Sequence, residues 1–137
     1  MPDALSQPPR IFRLAAVTGR IRDLLLEVSA KRFWVRAQLV ARSAARSGHF
    51  YGELLDVDES GQTVAKMSAV IWRSSLTEIR RTLEQAGATE LLEGNREICV
   101  LCSVIYHEVH GLSLQIHEVD PTFGEAHIDR NRRLILE

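Results

Sequence analysis

The chain has 137 residues, 45% of them hydrophobic and 26% charged, which is enough for one buried core and too apolar for a disordered or fibrous chain. Its net charge of −1 excludes a uniformly basic protein that coats nucleic acid nonspecifically. The total hides an uneven distribution. Between Arg10 and Arg46 nine basic residues (Arg10, Arg13, Arg20, Arg22, Lys31, Arg32, Arg36, Arg42, Arg46) stand against only Asp23 and Glu27, a local sum of +7 that leaves −8 for the rest. Such asymmetry points to an anionic partner, the alternative being a solvated face. No apolar run approaches the roughly 20 residues of a membrane span, and residues 1–10 hold no signal-peptide core, so the expected location is cytoplasmic, without a membrane partner.

Pro2, Pro8 and Pro9 mark residues 1–10 as a disordered lead-in. Leu14, Val17, Ile21, Leu24 and Leu25 then recur at helical spacing and predict a helix over 14–27 whose apolar stripe covers one end of a sheet. From Phe33 the period shortens to two: Phe33, Val35, Ala37, Leu39 and Ala41 alternate with Trp34, Arg36, Gln38, Val40 and Arg42, a half-buried strand. A small polar loop over 43–48 leads into a second strand, 49–57, with Phe50, Gly52 and Leu54 on one face and Tyr51, Glu53 and Leu55 on the other. Asp58, Glu59, Ser60 and Gly61 form a tight turn. The third strand, 63–72, sets Ala65, Met67, Ala69 and Ile71 against Lys66, Ser68, Val70 and Trp72.

After Arg73 the period is helical again, with Leu76, Ile79, Leu83 and Ala86 as the stripe, and Gly87 ends the helix. Leu91 and Leu92 suggest a short further turn. Strands over 96–108 and 112–119 meet at a hairpin marked by Gly111, and residues 125–137 read as a polar tail or linker. Helix, three strands, helix and two strands is the connectivity of an OB-fold barrel, with its domain over 11–124, a mainly β class that binds oligonucleotides or oligosaccharides. A five-stranded sheet of another topology is the alternative.

Cys99 and Cys102 have a Cys-x-x-Cys spacing but sit in an apolar strand where positions three apart face opposite sides, so they read as buried free thiols rather than a redox or metal pair. His107, His110 and His117 resemble zinc spacing, yet the first two also lie three apart on a strand, and solvated hairpin histidines are the simpler reading. There is no glycine-rich phosphate loop, no helpful Ser/His/Asp order and no two-metal carboxylate cluster. Neither a catalytic residue nor a cofactor is expected in this chain.

The residues resemble the N-terminal domain of the exodeoxyribonuclease VII large subunit over about 11–124. The stations are Asp23, Leu24, Leu25, Leu26, Glu27; Phe33, Trp34, Val35, Arg36; Ser47, Gly48, His49, Phe50, Tyr51; Leu54, Leu55, Asp56; Met67 through Arg73; and Glu118, Val119, Asp120, Pro121. The chain departs from the family at Ala37, Gln38, Leu39, Val40 (usually Gly-Glu-Ile-Ser), at Ser74 (usually glycine), and at Val109, His110, Gly111 (usually Pro-Arg-Gly). The resemblance implies an OB-fold that binds single-stranded DNA, non-catalytic by itself. The family's hydrolase activity, which cuts single-stranded DNA to oligonucleotides, and the small-subunit partner would belong to regions beyond the tail.

A binder of single strands needs cations that track phosphates and flat side chains on which bases stack. The outward sets supply both: Trp34 and Arg36 from the first strand, Tyr51 from the second, Lys66, Trp72 and Arg73 from the third and its exit, with Arg42, Arg46 and His49 flanking the first loop. Each has a structural alternative. The tryptophans and Tyr51 are equally readable as packed residues, Arg36 and Lys66 as solvated neighbours of Glu53, and Arg73 as the partner of a helix carboxylate. A rival class of function is protein interaction or homo-oligomer formation through the entry helix or through Val40, Leu55 and Val70 on the outward set.

Overall fold

The computed structural model describes residues 9–42, 48–94 and 96–122. Helix α1 (Leu14–Ser29) is followed by β1 (Phe33–Ala41), β2 (Phe50–Val57) and β3 (Thr63–Ile71), then α2 (Arg73–Gln85), a 3-10 turn (Thr89–Leu92), β4 (Arg96–His107) and β5 (Gly111–Val119). The five strands close into a barrel in the order β1-β2-β3-β5-β4. All neighbours are antiparallel except β3 and β5, whose short parallel pairing, Ala69 with Leu114 and Val70 with Gln115, completes the closure. The expected five-stranded barrel, with one helix before it and one between the third and fourth strands, is present.

Strand alternation builds the core. Inward-facing Leu39, Ile71, Ile98, Val100, Cys102 and Ile116 are fully buried. Gly52 is required where β2 crosses closest to β1, because a Cβ there would lie 2.9 Å from the Val40 carbonyl oxygen and 3.2 Å from Leu39 Cδ1. Helix α2 covers one end of the barrel with Leu76, Ile79 and Leu83. It ends as a Schellman motif: the Gly87 N–H donates to Glu84 O at 3.2 Å, the Ala88 N–H donates to Leu83 O at 2.8 Å, and Gly87 takes φ +68°. Ala86, expected in the apolar stripe, is instead the exposed C-cap. Leu91 and Leu92 of the short turn are buried beside it.

Three further expectations fail, two of them for tertiary reasons and one for a local one. The stripe of α1 is uncovered: Leu14 is 76% exposed and Leu24 65%, and no residue of the helix is buried. Of the stripe residues Leu25 alone is half-buried, with Thr18 and Ser29, on the side where the helix touches β4 and Arg22 Nη1 reaches Glu108 Oε2, just past the end of that strand, at 2.9 Å. At 100° per residue that side lies about a quarter turn from the rest of the stripe. Val70, expected on an exposed outward face, is buried, because β2 and β5 flank β3 on both sides at that level through Tyr51 and Gln115. Val40 and Leu55 are half-buried.

The third correction concerns the hairpin histidines. The rings of His107 and His110 meet with centroids 4.6 Å apart rather than facing opposite sides, since the strand ends at His107 and the turn folds back. His107 Nδ1 accepts the Val109 N–H at 3.0 Å and the His110 N–H at 3.3 Å, so it organises that turn. Cys99 and Cys102 are buried and not joined in a disulfide, and burial pushes the Cys102 thiol up to about 12, far from the thiolate a redox pair needs. Among the described residues no group of three His, Cys, Asp or Glu side chains is placed to hold a metal ion, and no helix is long and apolar enough to cross a membrane.

Candidate nucleic-acid interface

Beyond the pairing of Phe50 and Tyr51 with Ile71 and Val70 of β3, one side-chain hydrogen bond ties the segment from Gly48 to Tyr51 to the start of α2. His49 Nδ1 accepts the backbone N–H of Arg73 at 2.8 Å. That N–H is one of the four donors a helix leaves unpaired at its start, so His49 acts as the side-chain cap that Trp72, at the N-cap position, does not provide. The bond fixes the imidazole, and two other rings stand edge-on to it: Trp72 with centroids 5.0 Å away at 85° and Tyr51 at 6.4 Å and 83°. Tyr51 is 38% exposed, while His49 and Trp72 are half-buried. Gly48 takes φ +89°, and a Cβ there would stand 3.0 Å from Arg73 Cδ. The Gly-His-x-Tyr pattern thus has a physical meaning: glycine for the tight passage, histidine for the cap, and tyrosine for a ring projecting outward from β2.

Three cations of the early segment are ion-paired. Arg42 Nη2 lies 2.7 Å from Glu53 Oε1, Arg36 Nε lies 3.4 Å from Glu97 Oε2, and Arg22 is held by Glu108. Part of the charge segregated along the chain is therefore paired in space. The neighbour of Glu53 is Arg42, not Arg36 or Lys66, because the register places Val40 opposite Glu53 near the loop end of β1. The exposed pairs of Arg22 and Arg36 contribute about 0–1 kcal/mol each, so a phosphate can displace their carboxylates at modest cost, whereas Glu53, the partner of Arg42, is half-buried. Lys66 is exposed on β3, opposite Leu55. Arg46 lies outside the described residues.

Trp34 is 51% exposed but does not join the other rings. Barrel pairing carries it beside Leu101 of β4, which in turn faces Glu118 of β5. There it lines a groove of about 340 Å³ with Glu78, Ile79 and Thr82 of α2 and with His117, Glu118 and Asp120. Gly48 and Arg73 line a second groove, of about 400 Å³, on the other flank of α2.

His117, read from the sequence as one of the solvated hairpin histidines, is half-buried instead. A register shift beside Leu101 and Cys102 leaves it without a strand partner, and its Nε2 lies 2.8 Å from the Oγ of buried Ser103. Burial first, then the nearby Arg32 charge, lowers its pKa, against a smaller opposing effect of Glu118. The unfolded chain therefore takes up a proton at higher pH than the native one. Unfolding stability stays constant above the ordinary histidine pKa of about 6.5 and falls as pH drops through it toward the native value. His117→Gln is expected to flatten that decline, read from urea midpoints at pH 7.5 and 5.5. Equal declines in both proteins would contradict this assignment.

A closed five-stranded barrel with this strand order and a helix between β3 and β4 is an OB fold, and on it His49, Tyr51, Trp72 and Arg73 gather where the start of β2 meets the passage from β3 to α2. The chain belongs to the family of OB-fold nucleic acid binding domains, whose model matches residues 12–120. It is thus a nucleic-acid-binding domain. No curated protein matches the chain.

Proposed function

We propose that this domain holds single-stranded DNA for the large subunit of an exodeoxyribonuclease VII, presenting the strand to a hydrolytic centre that lies outside the described residues. The observation that carries the reading is the ring cluster of His49, Tyr51 and Trp72, held by the Arg73 N–H and set beside cations. Bases stack on Tyr51 and Trp72, while Arg42, Arg46, Lys66 and Arg73 meet phosphates. Base pairing hides the faces that such stacking requires, so single strands are preferred over duplex. The test is fluorescence anisotropy with a labelled oligothymidine and a duplex of the same length, across a salt series. The expected result is tighter binding to the single strand, with log affinity falling by about 0.7 per phosphate contacted per log unit of salt. Preference for duplex, or no binding to either at low salt, would overturn the reading.

A second reading, compatible with the first, is self-association through α1. Leu14, Val17, Ile21, Leu24 and Val28 alternate at three- and four-residue steps, as in a coiled-coil seam, and all are exposed. Arg20 and Glu27 flank that seam at equivalent positions seven residues apart. An antiparallel pairing that sets Ile21 against Leu24 of a second copy brings these opposite charges together on both sides. Sedimentation equilibrium is expected to show a weak dimer that Ile21→Glu abolishes. A monomer at every concentration would exclude it.

A further inference from the structure

The two flanks of α2 differ in charge, and this decides where a bound strand can run once it leaves the rings. The groove on the Gly48 side carries Arg73, Arg80 and Arg81, with Glu84 as its one carboxylate. Arg81 is engaged by both carboxylate oxygens of Glu78, at 3.0 and 3.1 Å, whereas Arg80 has no ion-pair partner among the described residues. Arg73, Thr77 and Arg80 follow one another at four- and three-residue steps and so share a helix face. Arg73 and Arg80 are about 10 Å apart along the axis, room for at least two successive phosphates at the roughly 3.4 Å rise of a duplex strand. The groove on the Trp34 side carries Glu78, Glu118 and Asp120 and no lysine or arginine. Phosphates entering it would face Glu118 and Asp120, with Glu78 held by Arg81.

We propose that single-stranded nucleic acid leaves the His49–Tyr51–Trp72 face over the Gly48 flank of α2 alone, its phosphates passing from Arg73 to Arg80, with the Trp34 flank left empty of nucleic acid. The proposal rests on the binding reading above and adds a second, phosphate-binding stretch to it. It makes Arg80, a residue of the barrel-end helix, part of the binding surface, and it separates Trp34 from the other aromatic residues.

The test compares two variants with the same change in net charge on opposite flanks, Arg80→Gln and Thr82→Glu, both at exposed helix positions. Binding of a labelled 20-nucleotide oligothymidine to the full chain is followed by anisotropy from 25 to 200 mM salt. Arg80→Gln is expected to weaken binding five- to tenfold at low salt and to reduce the salt slope by about 0.7, the loss of one phosphate contact. Thr82→Glu is expected to stay within twofold of the parent with the slope unchanged. Equal weakening by both variants would show a diffuse field rather than a path, and an unchanged slope in Arg80→Gln would remove the contact. Either result overturns the path while leaving the binding reading intact. Absence of binding by the parent chain overturns that reading and the path with it. Circular dichroism of both variants is expected to match the parent, since neither side chain is buried.

Discussion

Leu39→Ala lowers the unfolding free energy by about 3 kcal/mol, within the 2–5 kcal/mol found for leucine truncation in packed cores. Leu39 is fully buried in β1, the strand that joins β2 on one side and β4 on the other, opposite Leu54 and Arg96. Its Cδ1 also fills the space beside Gly52 that a larger residue would need. Collapse around the cavity is restricted because closure ties both neighbouring strands into the same ring. A domain of this size has only about 5–15 kcal/mol in total, so the change should be plain as a lower urea midpoint with an unchanged slope. Leu26→Ala, at an exposed position of α1 outside the seam proposed above, is the matched control and should stay within about 0.5 kcal/mol. Similar losses from both would mean that α1 is packed in solution.

Trp72→Ala is expected to weaken binding to oligothymidine between fivefold and 150-fold, from the roughly 1–3 kcal/mol of a stacked base and 1.4 kcal/mol per tenfold. The ring has two tasks, because it is half-buried and packs edge-on against His49 as well as offering its exposed area. Trp72→Phe separates them: a smaller flat ring keeps the packing and retains most of the affinity. Tyr51→Ala removes the more exposed ring on β2 and should cost less than Trp72→Ala but more than twofold. Unchanged affinity in both alanine variants would leave phosphates as the sole contacts.

The strands were legible because their signals are local. Phe33 to Ala41 alternates inward and outward as its side chains require. The turn after β2 is organised around Asp58, whose Oδ1 accepts the Ser60 N–H at 2.9 Å and the Gln62 N–H at 3.0 Å, with Gly61 at φ +91°. Gly87 ends α2 as its lack of a Cβ allows. What escaped was set by contacts distant in sequence. The stripe of α1 shows which residues are apolar, not which side of the helix meets the barrel; the side that does carries Arg22, which reaches Glu108, 86 residues away.

The candidate site divides along the same line. His49 and Tyr51 were singled out as binding residues, but the capping role of His49 needs Arg73, 24 positions on. Trp34 shares an alternating outward set with Arg36, and nothing in that pattern reveals that barrel pairing sets it next to Glu118 and Asp120. The charge asymmetry along the chain likewise gave no sign that Glu53, Glu97 and Glu108 return to Arg42, Arg36 and Arg22.

The most direct measurement is a titration of an unlabelled single-stranded oligothymidine into isotope-labelled protein, followed by amide and indole NMR shifts. The largest changes are expected at Gly48, His49, Tyr51 and the Trp72 indole, extending through Lys66 and Arg73, with the Trp34 indole and α1 unmoved. Changes centred on the Trp34 indole or on α1, with His49, Tyr51 and Trp72 silent, would contradict a binding face built on the His49 cap.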